Sequence, residues 1–181
     1  GDRTQQDLPI SVVLIGSLVI AAGMWLIPEI PVSLLCALLI VVFGFFFATV
    51  SSRMVGIVGS SNNPVSGMAI ATLILTSFVL KATGSTGSAG MIAAISIGTV
   101  ICIIAAMAGD TSQDLKTGYI VGATPVKQQI GELLGAVVAA LTIGGVLYIL
   151  SKAWGGFGSA QLPAPQASLM KMVVEGVMGG T

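Results

Sequence analysis

Asn62-Asn63-Pro64-Val65-Ser66-Gly67 interrupts an apolar stretch, Met54 to Leu80, that carries no charge apart from Arg53 just before it and Lys81 just after it. Pro64 lacks an N–H and disfavours helical geometry at Asn63, while Gly59 and Gly67 loosen the backbone on either side. A helix that opens here frees carbonyls before the break and N–H groups after it. The positive end of the following helix dipole can then hold a carboxylate. The side chains of Ser60, Ser61, Asn62, Asn63 and Ser66 add donors and acceptors for a solute or for water. A substrate-binding site is therefore expected at Ser60, Ser61, Asn62, Asn63, Pro64, Ser66 and Gly67. The plainer alternative is a surface turn between two short elements, with Asn or Ser capping the second.

Asp110 and Asp114 share one face if their segment is helical. Two neighbouring carboxylates can share a proton, which suits proton coupling. Thr111-Ser112-Gln113-Asp114 also reads as a capping box at a helix start, with Lys116 as an anchor at the membrane surface. Spacing alone favours that simpler reading. Among the charges at span edges, Glu29, Arg53 and Lys81 are expected to reach for the interface. Glu132, directly after Gly131, is the one best placed to enter an internal cavity, and intramembrane carboxylates tend to be functional. Asp110, Asp114 and Glu132 are thus the coupling candidates.

No catalytic constellation is present. Ser60 has no His or partnered Lys base, and Gly-x-Ser-x-Gly is absent, so the chain does not read as an enzyme. With no histidine in 181 residues, a His-built metal site is excluded, and no cofactor is expected. Cys36 and Cys102 fall in apolar spans and read as packing residues rather than a disulfide.

Such chemistry must be held by membrane helices. Hydrophobic residues make up 55% of the chain and charged residues only 8%. Soluble domains carry roughly 25% charged residues. Seven basic and seven acidic side chains balance to zero net charge, and no basic patch suggests nucleic acid. The composition predicts an all-α polytopic bundle in the bilayer, with a broken helix or re-entrant segment.

The spans are expected at about 8–27, 32–50, 54–80 (broken at 60–66), 89–108 and 132–150. Residues 109–131 read as a polar interfacial segment, 152–168 as a loop and 169–181 as the start of a further helix. Ala94 and Gly98, Ala105 and Gly109, Gly118 and Gly122, and Gly131 and Gly135 lie four apart, a spacing that lets helices approach closely. Both ends of the chain read as cut, so a portion of a larger protein is expected.

Two motifs resemble a known family. Asn62-Asn63-Pro64-Val65-Ser66-Gly67-Met68-Ala69 resembles the Asn-Pro-x-Ser-Gly helix break of bacterial oligopeptide transporter (OPT) family members. Gly109-Asp110-Thr111-Ser112-Gln113-Asp114-Leu115-Lys116-Thr117-Gly118 resembles that family's Gly-Asp-x-x-Gln-Asp-x-Lys-Thr-Gly element, shared with its yellow-stripe-like branch. Thr124 to Gly131 fits the segment that follows. The resemblance implies a multi-pass protein of the cell (inner) membrane with many more spans, either the remainder of the transporter or further copies packing on this portion. It implies proton-coupled uptake of small peptides or of metal–chelate complexes. The Asn-Pro break would line the central path. Gln113, Asp114 and Lys116 would sit at the inner mouth, positioning helices or contributing to coupling. A passive channel and a non-transporting membrane scaffold are the competing classes.

Overall fold

The computed structural model describes residues 2–179 as six α-helices after a short 3-10 turn at Arg3–Gln5. They are α1 (Ile10–Leu26), α2 (Leu34–Val58), α3 (Val65–Ala82), α4 (Gly87–Val121), α5 (Pro125–Ala153) and α6 (Pro165–Met178). The first five are long and apolar enough to cross a membrane. Gly180 and Thr181, the end of the expected terminal helix, lie outside the described residues.

The element limits differ from the sequence expectation in four places, each for a local reason. The expected second span and the start of the third, Met54 to Val58, form one helix, Leu34–Val58, because nothing between Val50 and Met54 breaks it. Helix α2 ends where Gly59 adopts a left-handed conformation (φ 77°) and its N–H donates to the Val55 carbonyl, the usual glycine stop. The polar break is therefore not the middle of one span. It joins two antiparallel ones, α2 and α3.

Second, α4 does not end near residue 108. It runs through Asp110 and Lys116 to Val121, stopping at left-handed Gly122 (φ 71°). Charge at Asp110 marks where the apolar stretch ends, not where the helix ends. The capping-box reading of Thr111 to Asp114 is thereby overturned, since these residues lie within the helix. Third, Pro125 occupies the first turn of α5, a position that spares its missing N–H. Glu132 therefore lies about two turns inside α5 instead of opening it. Pro165 likewise starts α6 four positions before the expected Leu169.

The core is built on α2 and α4, with α3 and α6 packed against α4. Cys36, Ile40 and Phe47 from α2, Leu73 and Leu80 from α3, Ile97 and Ile101 from α4, and Val174 from α6 are its main buried side chains. Small residues permit the contact: Ala94, Gly98, Ala105 and Gly109 are all buried. A Cβ at Gly98 would lie 2.6 Å from Leu73 Cδ2, and one at Gly44 would lie 3.0 Å from Ile104 Cδ1. Gly131 and Gly135 instead face open space. Neither α1 nor α5 has a buried residue.

Chain direction gives two ends to the bundle. The N-terminal arm, the α2–α3 connection and the α4–α5 turn share one end, here called side A. The α1–α2 and α3–α4 connections and α6 share side B, where Lys81 Nζ donates to the Val177 carbonyl of α6 (2.8 Å).

Candidate functional site

Asn63 is the residue of the break that turns inward. Its side-chain Nδ2 donates to Ser51 Oγ in α2 and to the Ala105 carbonyl in α4 (3.1 Å). Ser51 Oγ donates to the same carbonyl (2.6 Å), and Ser51 is fully buried. One amide thus ties the α2–α3 connection to both core helices. It needs a donor there, because a carbonyl and a hydroxyl oxygen are what it meets. The contact is possible only because the facing residue is Gly109. A Cβ at 109 would lie 2.7 Å from Asn63 Nδ2 and 3.1 Å from Ser51 Oγ.

The two sequence motifs therefore touch. Farther along α4, Ser112 Oγ donates to the Ser52 carbonyl (2.8 Å). Gln128 Nε2, at the start of α5, donates to the Asp114 carbonyl (3.0 Å). Gln128 packs over Gly118, where a Cβ would lie 2.6 Å from its Cδ. Both glycines that bound the second motif are thus seats for amide side chains arriving from other elements. Spacing could suggest Gly109 as a packing glycine, but not which residue it receives.

The remaining candidates take other places. Ser60, Ser61, Asn62, Pro64, Ser66 and Gly67 are exposed on side A. Helix α3 opens at Pro64 with no side-chain cap, so its first N–H groups are left without a side-chain acceptor. Asp110, Asp114 and Lys116 are also exposed, and Gln113 is partly buried. Asp114 holds Gln128 through its backbone carbonyl, not its carboxylate. Among the described residues, no group of three or more His, Cys, Asp or Glu side chains could hold a metal.

Glu132 is set apart. It lines a groove of about 410 Å³ with Val12 and Ile20 of α1, Met107 and Thr111 of α4, and Gln129 of α5. Its Oε1 is buried and has no hydrogen-bond partner among the described residues.

The N-terminal arm closes this groove at side A. Arg3 Nη1 donates to the Gly122 carbonyl at the end of α4 (2.8 Å). The Val126 N–H donates to the Gln6 carbonyl (2.8 Å). Gln129 accepts from the Leu8 N–H at its Oε1 (2.9 Å) and donates to Asp7 Oδ1 from its Nε2 (3.4 Å). Ser51, Ser112, Gln128 and Gln129 are site residues that the sequence reading passed over. Ser112 carried a signal as part of the second motif, and Gln128 and Gln129 as part of the Thr124 to Gly131 match; Ser51 carried none.

Comparison with known proteins identifies the family. The profile of a family described as "OPT oligopeptide transporter protein" matches residues 1–181. A Haemophilus influenzae protein named "Putative oligopeptide transporter" is 38% identical over 170 residues, 83% of this chain and 27% of that protein. An Arabidopsis thaliana protein named "Probable metal-nicotianamine transporter YSL5" is 29% identical over 109 residues, 57% of this chain and 15% of that protein. A relative in Oryza sativa subsp. japonica with a name of the same form is 28% identical over 108 residues, 58% of this chain and 16% of that protein. The chain thus spans about a quarter or less of these curated relatives. No solved structure matches it.

Proposed function

Since the chain belongs to the OPT oligopeptide transporter family, we propose that it forms part of a secondary active carrier driven by the proton gradient. Its substrates are small peptides or metal ions already wrapped in amino-acid-like chelators. The observation that carries this reading is the contact of the two family motifs through Asn63 and Gly109. That contact sets the uncapped start of α3 beside the end of α4's apolar stretch.

On this reading Ser60, Ser61, Asn62, Ser66 and the N–H groups of Ser66 and Gly67 offer themselves to substrate, the Val65 N–H being held by the Asn63 carbonyl (2.9 Å), with Pro64 and Gly67 shaping the opening. Asn63 serves mainly by holding that opening in place. An N-terminal helix end suits a carboxylate, which peptides and amino-acid chelators both carry. Gln113 and Lys116 position α4 at the mouth, and coupling falls to Asp110, Asp114 or Glu132. The absence of histidine favours a metal that arrives with its ligands filled. Side A carries Arg3, Arg53, Lys116 and Lys127 against Lys81, Lys152 and Lys171 on side B. This one-residue excess of basic groups favours side A as the cytoplasmic side.

The test is uptake by the intact carrier in proteoliposomes, with and without an inward proton gradient, offered a mixed peptide pool and an iron–chelate pool in parallel. Gradient-stimulated accumulation of either pool is expected. Flux of a pool that ignores the gradient and saturates weakly would favour a passive channel. No flux from folded protein would favour a scaffold.

A further inference from the structure

We propose that Glu132 is the proton-exchanging carboxylate of this carrier. It takes one proton from water within the groove between α1, α4 and α5 and returns it to water when those helices part. The inference rests on the carrier reading above and goes beyond it by choosing among three carboxylates. Asp110 and Asp114 are exposed on α4, where water solvates either protonation state and little is gained by moving a proton. Glu132 instead is half-buried, with one carboxylate oxygen buried in the groove and without a hydrogen-bond partner among the described residues. A buried polar atom left without a partner is a place where a proton or a water can be gained or released.

Among the described residues nothing nearby pairs it: the arm's one cation, Arg3, is engaged by the Gly122 carbonyl. Helix α1 has no ionisable side chain between Ile10 and Leu26. In the arm, Asp7 is a further acid and is engaged by Gln129. On α4 the charged groups flanking Thr111 are Asp110, Asp114 and Lys116, all exposed, as is Lys127 on α5. The one ion pair among the described residues is Lys171–Glu175 (3.6 Å), on α6.

The lining also separates a proton from a metal cation. A sodium ion needs several oxygen ligands, whereas a proton needs only the carboxylate. Gln129 Oε1 already accepts from Leu8, leaving Thr111 and Ser17 as further side-chain oxygens among apolar walls. Within this chain that is a sparse set of side-chain oxygens for a metal cation.

The test uses the full-length carrier in proteoliposomes, supplied with whichever pool, peptide or iron–chelate, the unmodified protein accumulates. In Glu132→Gln, the ratio of uptake with to uptake without an inward proton gradient should fall to about one. Glu132→Asp should keep an intermediate ratio. A Glu132→Gln carrier with the unmodified ratio overturns the proposal. So does accumulation driven by a sodium gradient at equal pH that is lost in Glu132→Gln.

A second measurement does not depend on transport. Dicyclohexylcarbodiimide modifies protonated carboxyls in apolar surroundings. Mass spectrometry of the treated, unmodified-sequence protein should find the adduct on Glu132, diminishing as pH is raised. No adduct there overturns the assignment even if Glu132→Gln fails to fold. Absence of any uptake by the unmodified carrier, with the adduct present, instead sinks the carrier reading and leaves the protonatable groove standing.

Discussion

Asn63 lies directly over Gly109, so close that a β-carbon at 109 would lie 2.7 Å from the Asn63 amide nitrogen. The two residues belong to different motifs and different elements, yet neither can be understood without the other. The amide reaches the Ala105 carbonyl because the α4 backbone is bare at the next turn.

Substituting Gly109→Ala should therefore act through Asn63. The methyl group displaces the amide, and the bonds to Ser51 and Ala105 are lost together. A destabilisation of about 1–3 kcal/mol is expected for a buried polar group left unsatisfied. Denaturation of the intact protein in detergent checks this; an unchanged midpoint would mean that the amide has another seat.

Asn63→Asp separates donor from acceptor at almost constant shape. A carboxylate has no N–H to offer, so it should be at least as damaging as Asn63→Ala, both to stability and to uptake. Both variants should still insert. If Asn63→Asp transports better than Asn63→Ala, the donor role is wrong.

Gly98→Ala and Gly118→Ala should differ in size. At Gly98 the new methyl would meet Leu73, a fully buried side chain with Cγ 2.9 Å away; overpacking of this kind costs about 1–3 kcal/mol. At Gly118 it would meet the far end of Gln128, which can swing aside at the loss of one hydrogen bond, about 1 kcal/mol. A Gln128→Ala background should remove most of the Gly118→Ala effect, so a double-mutant cycle checks the contact.

Membrane-impermeant maleimide labelling of single cysteines checks the chain path. Cysteines replacing Arg3, Lys116 and Lys127 should label from one side. Those replacing Lys81 and Lys152 should label from the other. Labelling of position 116 together with 81 would contradict the antiparallel run of α3 and α4.

The all-helical membrane class was legible because lipid admits only helices and closed barrels, and uncharged stretches of about 20 residues suit the first, whereas barrel strands are about half as long. The positions of Asn63 and Gly109 within motifs were also visible. Their contact was not, because spacing reports faces within one helix and says nothing of which residue arrives from another. Helix α4 outruns the expected span for a physical reason: an apolar stretch ends at its first charge, whereas a helix ends at its stop signal, here Gly122. Ser51 was hidden most completely. A lone serine in an apolar helix has no pattern, and its significance comes from burial between Asn63 and Ala105.

Helix α5 bonds to α4 near its start, where Gln128 Nε2 reaches the Asp114 carbonyl, and none of its residues is buried. With 29 residues it is about 43 Å long. Its exposed apolar flank is a seam ready to receive other helices rather than an outer wall, in a chain that spans 27% of the length of its Haemophilus influenzae relative.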